Sequence, residues 1–390
     1  MRICCIADLH VGLKTYAEIN TLPVEDFNPG PKINSNASLY DREIEVLNNF
    51  KYIINICISQ KIPILIIAGD IYHTIQPSSN LQDEINKLLF YASQNNLYVL
   101  ILEGNHDLKK SNGAVSALEV FDTFHIPHII HTSKFLDKEL IINNEILRFL
   151  FLPTYTNNDE IKYLLEQNII NYKHKIIIIG HFTTQGAQLN EWLTAENEDN
   201  IDINLFNKAN YVILGHLHKR QVLKNNPLIF YTGSLQRTDF NEENQEKGYN
   251  ILDTNTNQLD FYPIKTQTFY TIEINLENFN LKKSIIEYIK EQIITDKINN
   301  SIIRIIINTI EEFKLTIEDE QIIKDYISNY QPKKIVSFKQ NIKNNNYVRN
   351  ENLTESLSLN KALEIYYKDQ PRAKERIQLG KEIIKQYFNQ

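Results

Sequence analysis

Five short aliphatic runs, each ending in a turn that carries metal-ligand residue types, constrain this chain more than any other feature. The run from Leu97 to Ile101 leads into Leu102-Glu-Gly-Asn-His-Asp107. Arg2 to Ala7 delivers Asp8 and His10, and Ile64 to Ala68 delivers Asp70 after Gly69. Lys175 to Ile179 delivers His181 after Gly180, and Tyr211 to Leu214 delivers His216 and His218 after Gly215. Ligands of α/β sheets collect outside the carboxyl ends of strands, so the five turns are expected to converge on one face. One such run alone is weak evidence, because a single histidine more often serves a core or a surface. The ordered set is much harder to produce by chance. It nominates Asp8, His10, Asp70, Asn105, His181, His216 and His218 as metal ligands.

Carboxylate, amide and neutral imidazole donors suit two divalent cations of intermediate hardness, which a shared carboxylate holds roughly 3.5 to 4 Å apart. Such a pair binds a phosphate oxygen, activates water and stabilises the charge that develops in an in-line displacement. An asparagine ligand adds no negative charge, so the cluster stays electrophilic. Phosphoester hydrolysis is therefore expected, and not redox iron chemistry, for which no thiolate or cofactor motif is at hand. His106 and its neighbour Asn105 project differently from their turn. His106 is expected to be catalytic at the substrate phosphate or leaving oxygen, with Asp107 orienting its ring and raising its pKa. The alternative is that His106 only packs the turn.

With 390 residues, 42% hydrophobic and 23% charged, the chain reads as a soluble globular protein of two or three domains. No apolar run approaches membrane-spanning length, and the first strand meets Asp8 too soon for a signal peptide, so a cytoplasmic location is expected. Three cysteines (Cys4, Cys5, Cys57) make neither a disulfide framework nor a zinc motif. The net charge of −7 argues against indiscriminate polyanion binding but allows a local basic groove.

Taken in order, the segment Lys14 to Ala37 reads as loop, either a rim of the site or a plain insertion. A capping-box-like start at Ser38 opens a helix that links the first two strands, and Ser79 to Gln82 opens a second. A short helix is expected near Ala114 to Phe121. His125, His128 and His131 flank a proline without carboxylate company and are taken as structural or surface residues; His73 and His174 are left unassigned. Leu140 to Leu152, broken by Asn143-Asn144, reads as a hairpin. The only tryptophan, Trp192, is expected to anchor a surface excursion. Leu228 to Tyr231 and Tyr249 to Tyr262 are expected to extend a second sheet. The fold class is thus α/β, a two-sheet sandwich flanked by helices. After Lys265, strand, helix, strand, helix and strand predict a small α+β domain. Asn341 to Asn352 reads as a linker, followed by two helical stretches, 359–367 and 373–388, whose apolar stripes suit docking on a partner.

The motifs Asp8-Leu-His10, Gly69-Asp-Ile-Tyr-His73, Gly104-Asn-His-Asp107, Gly180-His181 and Gly215-His-Leu-His218 resemble those of calcineurin-like dimetal phosphoesterases. More narrowly, Gly215 to Gln221, Tyr231 to Phe240 and Glu246-Lys-Gly248 resemble the SbcD-type DNA exonuclease subunits. The resemblance implies one metal on Asp8, His10, Asp70 and His218 and another on Asp70, Asn105, His181 and His216. It further implies Mn²⁺, although Fe or Zn also suits these ligands. The implied activity is a 3′-to-5′ exonuclease on duplex ends and a single-strand endonuclease, in DNA repair or recombination. The implied partners are DNA, a second copy of the chain and an SbcC-like coiled-coil ATPase. On this reading residues 1–265 are the nuclease domain, 266–340 a DNA-capping domain, 341–352 a linker and 353–390 the ATPase-binding segment. A small-molecule or protein phosphatase would share the five motifs, and a non-catalytic recombination scaffold is the rival from another class.

Overall fold

The computed structural model describes residues 1–19, 29–33, 39–108, 115–169, 172–189, 193–195, 200–276, 279 and 284–343, and then 364, 367, 374 and 376–381. The first sheet is built outward from β1 (Arg2–Ile6), β2 (Ile64–Ala68), β3 (Tyr98–Leu102) and β4 (Ile129–Thr132), all parallel. Helix α1 (Asp41–Ser59) connects β1 to β2, α2 (Ser79–Gln94) connects β2 to β3, and short α3 (Val120–Phe124) precedes β4. The second sheet has the order β5 (Leu136–Ile142), β6 (Glu145–Phe151), β7 (Lys175–His181), β8 (Tyr211–Gly215), β10 (Leu228–Tyr231), β9 (Gln221–Asn225). Its central strands β6, β7, β8 and β10 are parallel, and α4 (Asn158–Asn168) links β6 to β7.

Alternation along each strand explains the layering. In β1, Ile3 and Cys5 face the gap between the sheets, where they meet Ile64, Ile66, Leu100, Phe149, Ile177, Ile213 and Phe230. Cys4 and Ile6 point the other way, onto Val46, Phe50 and Ile53 of α1 and Ile85, Leu88 and Leu89 of α2. The outer face of the second sheet is covered by Ile161 and Leu165 of α4 and by Phe206. Parallel strands in both sheets deliver their carboxyl ends to one edge of the sandwich. That edge is where the polar turns lie.

Several sequence expectations need correction. The strands β11 (Gly248–Asp253) and β12 (Gln258–Pro263) do not extend the second sheet; β11 pairs antiparallel with β1, and β12 forms the edge of the first. Helix α1 starts at Asp41, where the Tyr40 backbone N–H donates to Glu43 at 2.8 Å, and Ser38 lies outside the described residues. The cap of α2 is Ser78, whose hydroxyl accepts from the Leu81 N–H at 3.4 Å. Of the stretch expected to hold the short helix, Ala114 lies outside the described residues, residues 115–119 are not helical, and α3 runs from Val120 to Phe124. The hairpin holds, with Asn143 and Asn144 at φ 53° and 64°, the left-handed region a two-residue turn requires.

Beyond β12, a third sheet of parallel strands β13 (Phe269–Asn275), β14 (Ile302–Ile310) and β15 (Lys334–Lys343) packs on α5 (Ile285–Gln292) and α6 (Ile317–Ser328). The expected linker begins later than Asn341, since residues 341–343 finish β15; the rest of it lies outside the described residues. Trp192, residues 20–28 and 34–37 of the Lys14 to Ala37 segment, and most of the two terminal stretches also lie outside them. Among the described residues no helix is long and apolar enough to cross a membrane.

Candidate metal centre

All seven nominated ligands meet at the shared edge of the two sheets. Asp8 and His10 follow β1, Asp70 follows β2, Asn105 follows β3, His181 ends β7, and His216 and His218 follow β8. Asp8, His10, Asp70 and His216 take φ of 54°, 49°, 54° and 87°. Non-glycine residues with positive φ are uncommon, and strain of this kind concentrates where side chains must be aimed. Two glycines make room. A Cβ on Gly69 would stand 2.1 Å from Nδ1 of His181, and one on Gly104 would stand 2.1 Å from Oδ1 of Asp70.

Asp70 occupies the middle. Its Oδ1 accepts the His106 backbone N–H at 2.8 Å, while Oδ2 lies 3.3 Å from Nε2 of His181 and 3.7 Å from Nε2 of His10. On one side, His10 and His218 bring their Nε2 atoms within 2.9 Å of each other, with Asp8 in the same cluster. On the other, Asn105 Oδ1 lies 3.0 Å from Nε2 of His181 and 3.1 Å from Nδ1 of His216. Asp8 accepts the His216 backbone N–H at 3.1 Å through each of its oxygens.

The donor chemistry fits cations. Nδ1 of His181 faces the Ala68 carbonyl at 2.8 Å and Nδ1 of His218 faces Oε1 of Glu242 at 2.7 Å, so each N–H is used on the side away from the centre. Both Nε2 atoms face the centre, that of His181 toward Asp70 and Asn105 and that of His218 toward His10, where a bound cation can take the place of a shared proton. The electrostatics differ from ring to ring. Burial and the nearby His218 hold His10 well below the ordinary imidazole value, and burial with His181 pulls His216 down to about 4, so both are neutral donors near pH 7. Burial opposes a charge on His181, but the Asp70 carboxylate overcomes it and raises the ring to about 9. Burial raises Asp8, and although burial also disfavours the Asp70 anion, His181 and His10 hold that carboxyl below the usual range.

His106 lies in the same pocket, its ring 4.9 Å from that of His10. Its expected partner is wrong. Asp107 accepts the backbone N–H groups of Ile71, Tyr72 and Gly104 at 3.1, 2.9 and 3.1 Å, and so ties the β3 turn to the β2 turn. Burial and Asp70 push its carboxyl up to about 7. The His106 ring is oriented instead by the His73 carbonyl, 2.8 Å from Nδ1.

Sequence reasoning gave no role to three residues. The His73 ring stacks on His106 at 5.4 Å and 20°, and its signals were the three residues of spacing from Asp70 and its place in the Gly69 to His73 motif. Glu242 and Lys247 support His218 from behind, and nothing near them resembles a ligand strand. Of the other histidines, His131 is structural as expected, but it does have carboxylate company: Glu103 at 2.9 Å and Asp122 at 3.1 Å. The first residues of the long segment, Lys14 and Thr15, join His73 in lining a cavity of about 530 Å³.

Residues 1–220 match the calcineurin-like phosphoesterase family. The chain is 26% identical to the SbcD subunit of the SbcCD nuclease of Staphylococcus epidermidis over 62% of its own length and 68% of that protein's. It is 30% identical to the protein of the same name from Staphylococcus saprophyticus, over 55% of this chain and 62% of the relative. It is 25% identical to "DNA double-strand break repair protein Mre11" of Methanocaldococcus jannaschii, over 73% and 71%.

Proposed function

Because this chain belongs to the calcineurin-like phosphoesterase family, we propose that it is a metal-dependent DNA nuclease, the hydrolytic subunit of an SbcC/SbcD-like complex in DNA repair or recombination. The observation that carries the reading is the meeting of six ligand-type side chains around a seventh, Asp70, in a chain whose relatives are named as nucleases. One cation would be held by Asp8, His10, Asp70 and His218, the other by Asp70, Asn105, His181 and His216. When bound, two such cations, most suitably Mn²⁺, polarise the phosphodiester and make water nucleophilic at neutral pH.

The chain's own residues supply the rest. Asp70 is placed to share its carboxylate between the two ligand sets. Asn105 completes the second set without adding charge, which keeps the centre attractive to a phosphate. His106, with Nδ1 held on the His73 carbonyl, presents Nε2 to the substrate and can carry a proton to the departing oxygen. His73, stacked beside it, adds a second imidazole to the phosphate's surroundings. Asp107 fixes the turn from which Asn105 and His106 project.

Residues 266–340 are proposed to cap the DNA, and residues 353–390 to bind a coiled-coil ATPase; the native assembly is a homodimer carrying that partner, in the cytoplasm. The deciding experiment compares Mn²⁺-dependent hydrolysis of end-labelled duplex DNA with that of nucleotide monophosphates, with and without the ATPase. Release of nucleotides from DNA ends and slow turnover of monophosphates is the expected result. Preference for monophosphates would make the chain a phosphatase and overturn the proposal.

A further inference from the structure

The support behind His218 is built differently from the supports behind the other rings. His181 and His106 each face a neutral backbone carbonyl, of Ala68 and of His73. His218 faces a carboxylate, Oε1 of Glu242, at 2.7 Å. Glu242 ends a tight 3-10 turn, Phe240–Glu242, and is only 6% exposed. Thr238 donates its hydroxyl to the same oxygen, and the Lys247 ammonium lies 2.5 Å from the other. Lys247 is itself 2% exposed, and its Nζ also donates to Ser234 Oγ at 2.8 Å, Gln245 Oε1 at 2.9 Å and the His218 carbonyl at 3.1 Å. The network therefore grips His218 by both its ring and its backbone.

Taking a carboxylate and an ammonium out of water is costly, and replacing such a pair by apolar residues is often neutral for stability. Its position against one imidazole gives it a different use. A carboxylate accepting the far N–H of a ligand histidine fixes the tautomer and makes the near nitrogen a stronger donor. The turn is also held from its other side, where Glu243 accepts the Thr271 N–H at 2.9 Å and hydroxyl at 2.6 Å from β13. We infer that Glu242, clamped by Lys247 and Thr238, is a positioning residue that locks the His218 ring with Nε2 toward the centre. It thereby strengthens divalent-cation binding on the Asp8–His10–His218 side over the Asn105–His181–His216 side.

This rests on the two-cation reading of the centre, and the test separates the two. Mn²⁺ is titrated calorimetrically into the metal-free full chain and into Glu242→Gln, which keeps the volume and removes the charge. The wild type is expected to take up two ions. Glu242→Gln is expected to take up two with one affinity about 10- to 100-fold weaker, the usual loss on removing such a support, and the other unchanged. In the metal-free protein, ¹⁵N spectra should show His218 protonated at Nδ1 in the wild type and as a mixture of tautomers in the variant. Should the unpaired Lys247 unfold that variant, Glu242→Gln/Lys247→Met removes the stranded charge and carries the same expectation. Two unchanged affinities and an unchanged tautomer would overturn the role of Glu242 while leaving the centre intact. A wild type that binds no Mn²⁺ would overturn the two-cation reading itself.

Discussion

Nε2 of His181 stands 3.3 Å from Oδ2 of Asp70, although the two residues come from strands of different sheets. The sandwich is closed at this point by a polar contact between the ends of β7 and β2, above the apolar side chains packed between the sheets. The contact joins two ligand sets: Asp70 also faces His10 at 3.7 Å, and His181 also faces Asn105 at 3.0 Å. A carboxylate with two oxygens is the side chain suited to this middle position.

Asp70→Ala should abolish Mn²⁺-dependent hydrolysis and remove the gain in melting temperature that Mn²⁺ gives the wild type, since a ligand that binds only the native state stabilises it by mass action. Thermal scans with and without Mn²⁺ check this. An undiminished gain in the variant would remove Asp70 from the centre.

His106→Ala should leave Mn²⁺ stoichiometry unchanged and lower turnover by about 10²-fold or more, the scale of a positioned acid or base. Metal analysis beside kinetics reads both quantities. Loss of an ion would make His106 a ligand instead.

Gly104→Ala puts a methyl group where Asp70 Oδ1 now sits, at 2.1 Å, an approach no packed structure tolerates. Asp70 must shift, and a displacement of about 1 Å at a reacting centre costs on the order of 10²-fold in rate. Turnover should fall by that factor with the fold retained, as judged by circular dichroism. Wild-type turnover would mean that the position of Asp70 does not matter.

His131 gives a pH dependence away from the ligands. Burial disfavours its charge, but Glu103 and Asp122 outweigh burial and raise its pKa above the ordinary 6.5. The charged ring therefore contributes stability fully below about pH 6.5 and loses it as pH rises through the raised value. The difference in urea midpoint between the wild type and His131→Gln should be largest at the acid end and shrink toward alkaline pH. A difference that grows with pH would contradict the ion pairing.

The convergence of the turns was legible because each follows an aliphatic run that reads as a buried strand, so residue type and position along the chain sufficed to bring Asp8, His10, Asp70, Asn105, His181, His216 and His218 to one edge. What joined strands across long distances was not. Strand β11 pairs Asn250 with Cys5, a contact no local pattern announces, and its apolar residues would have suited either sheet. Asp107 was misread for a related reason. Its neighbour His106 was the obvious partner, whereas the backbone N–H groups of Ile71 and Tyr72 come from another turn and leave no mark in the sequence. Glu242 sits in a short polar turn 24 residues beyond His218, where nothing but the folded chain brings the two together.

Anomalous diffraction from crystals of the full chain grown with Mn²⁺ tests the central claim most directly. The account predicts two peaks roughly 3.5 to 4 Å apart, with Asp70 between them. Asp8, His10 and His218 would surround one, and Asn105, His181 and His216 the other. A single peak, or a pair with Asp70 bound to only one of them, would contradict it.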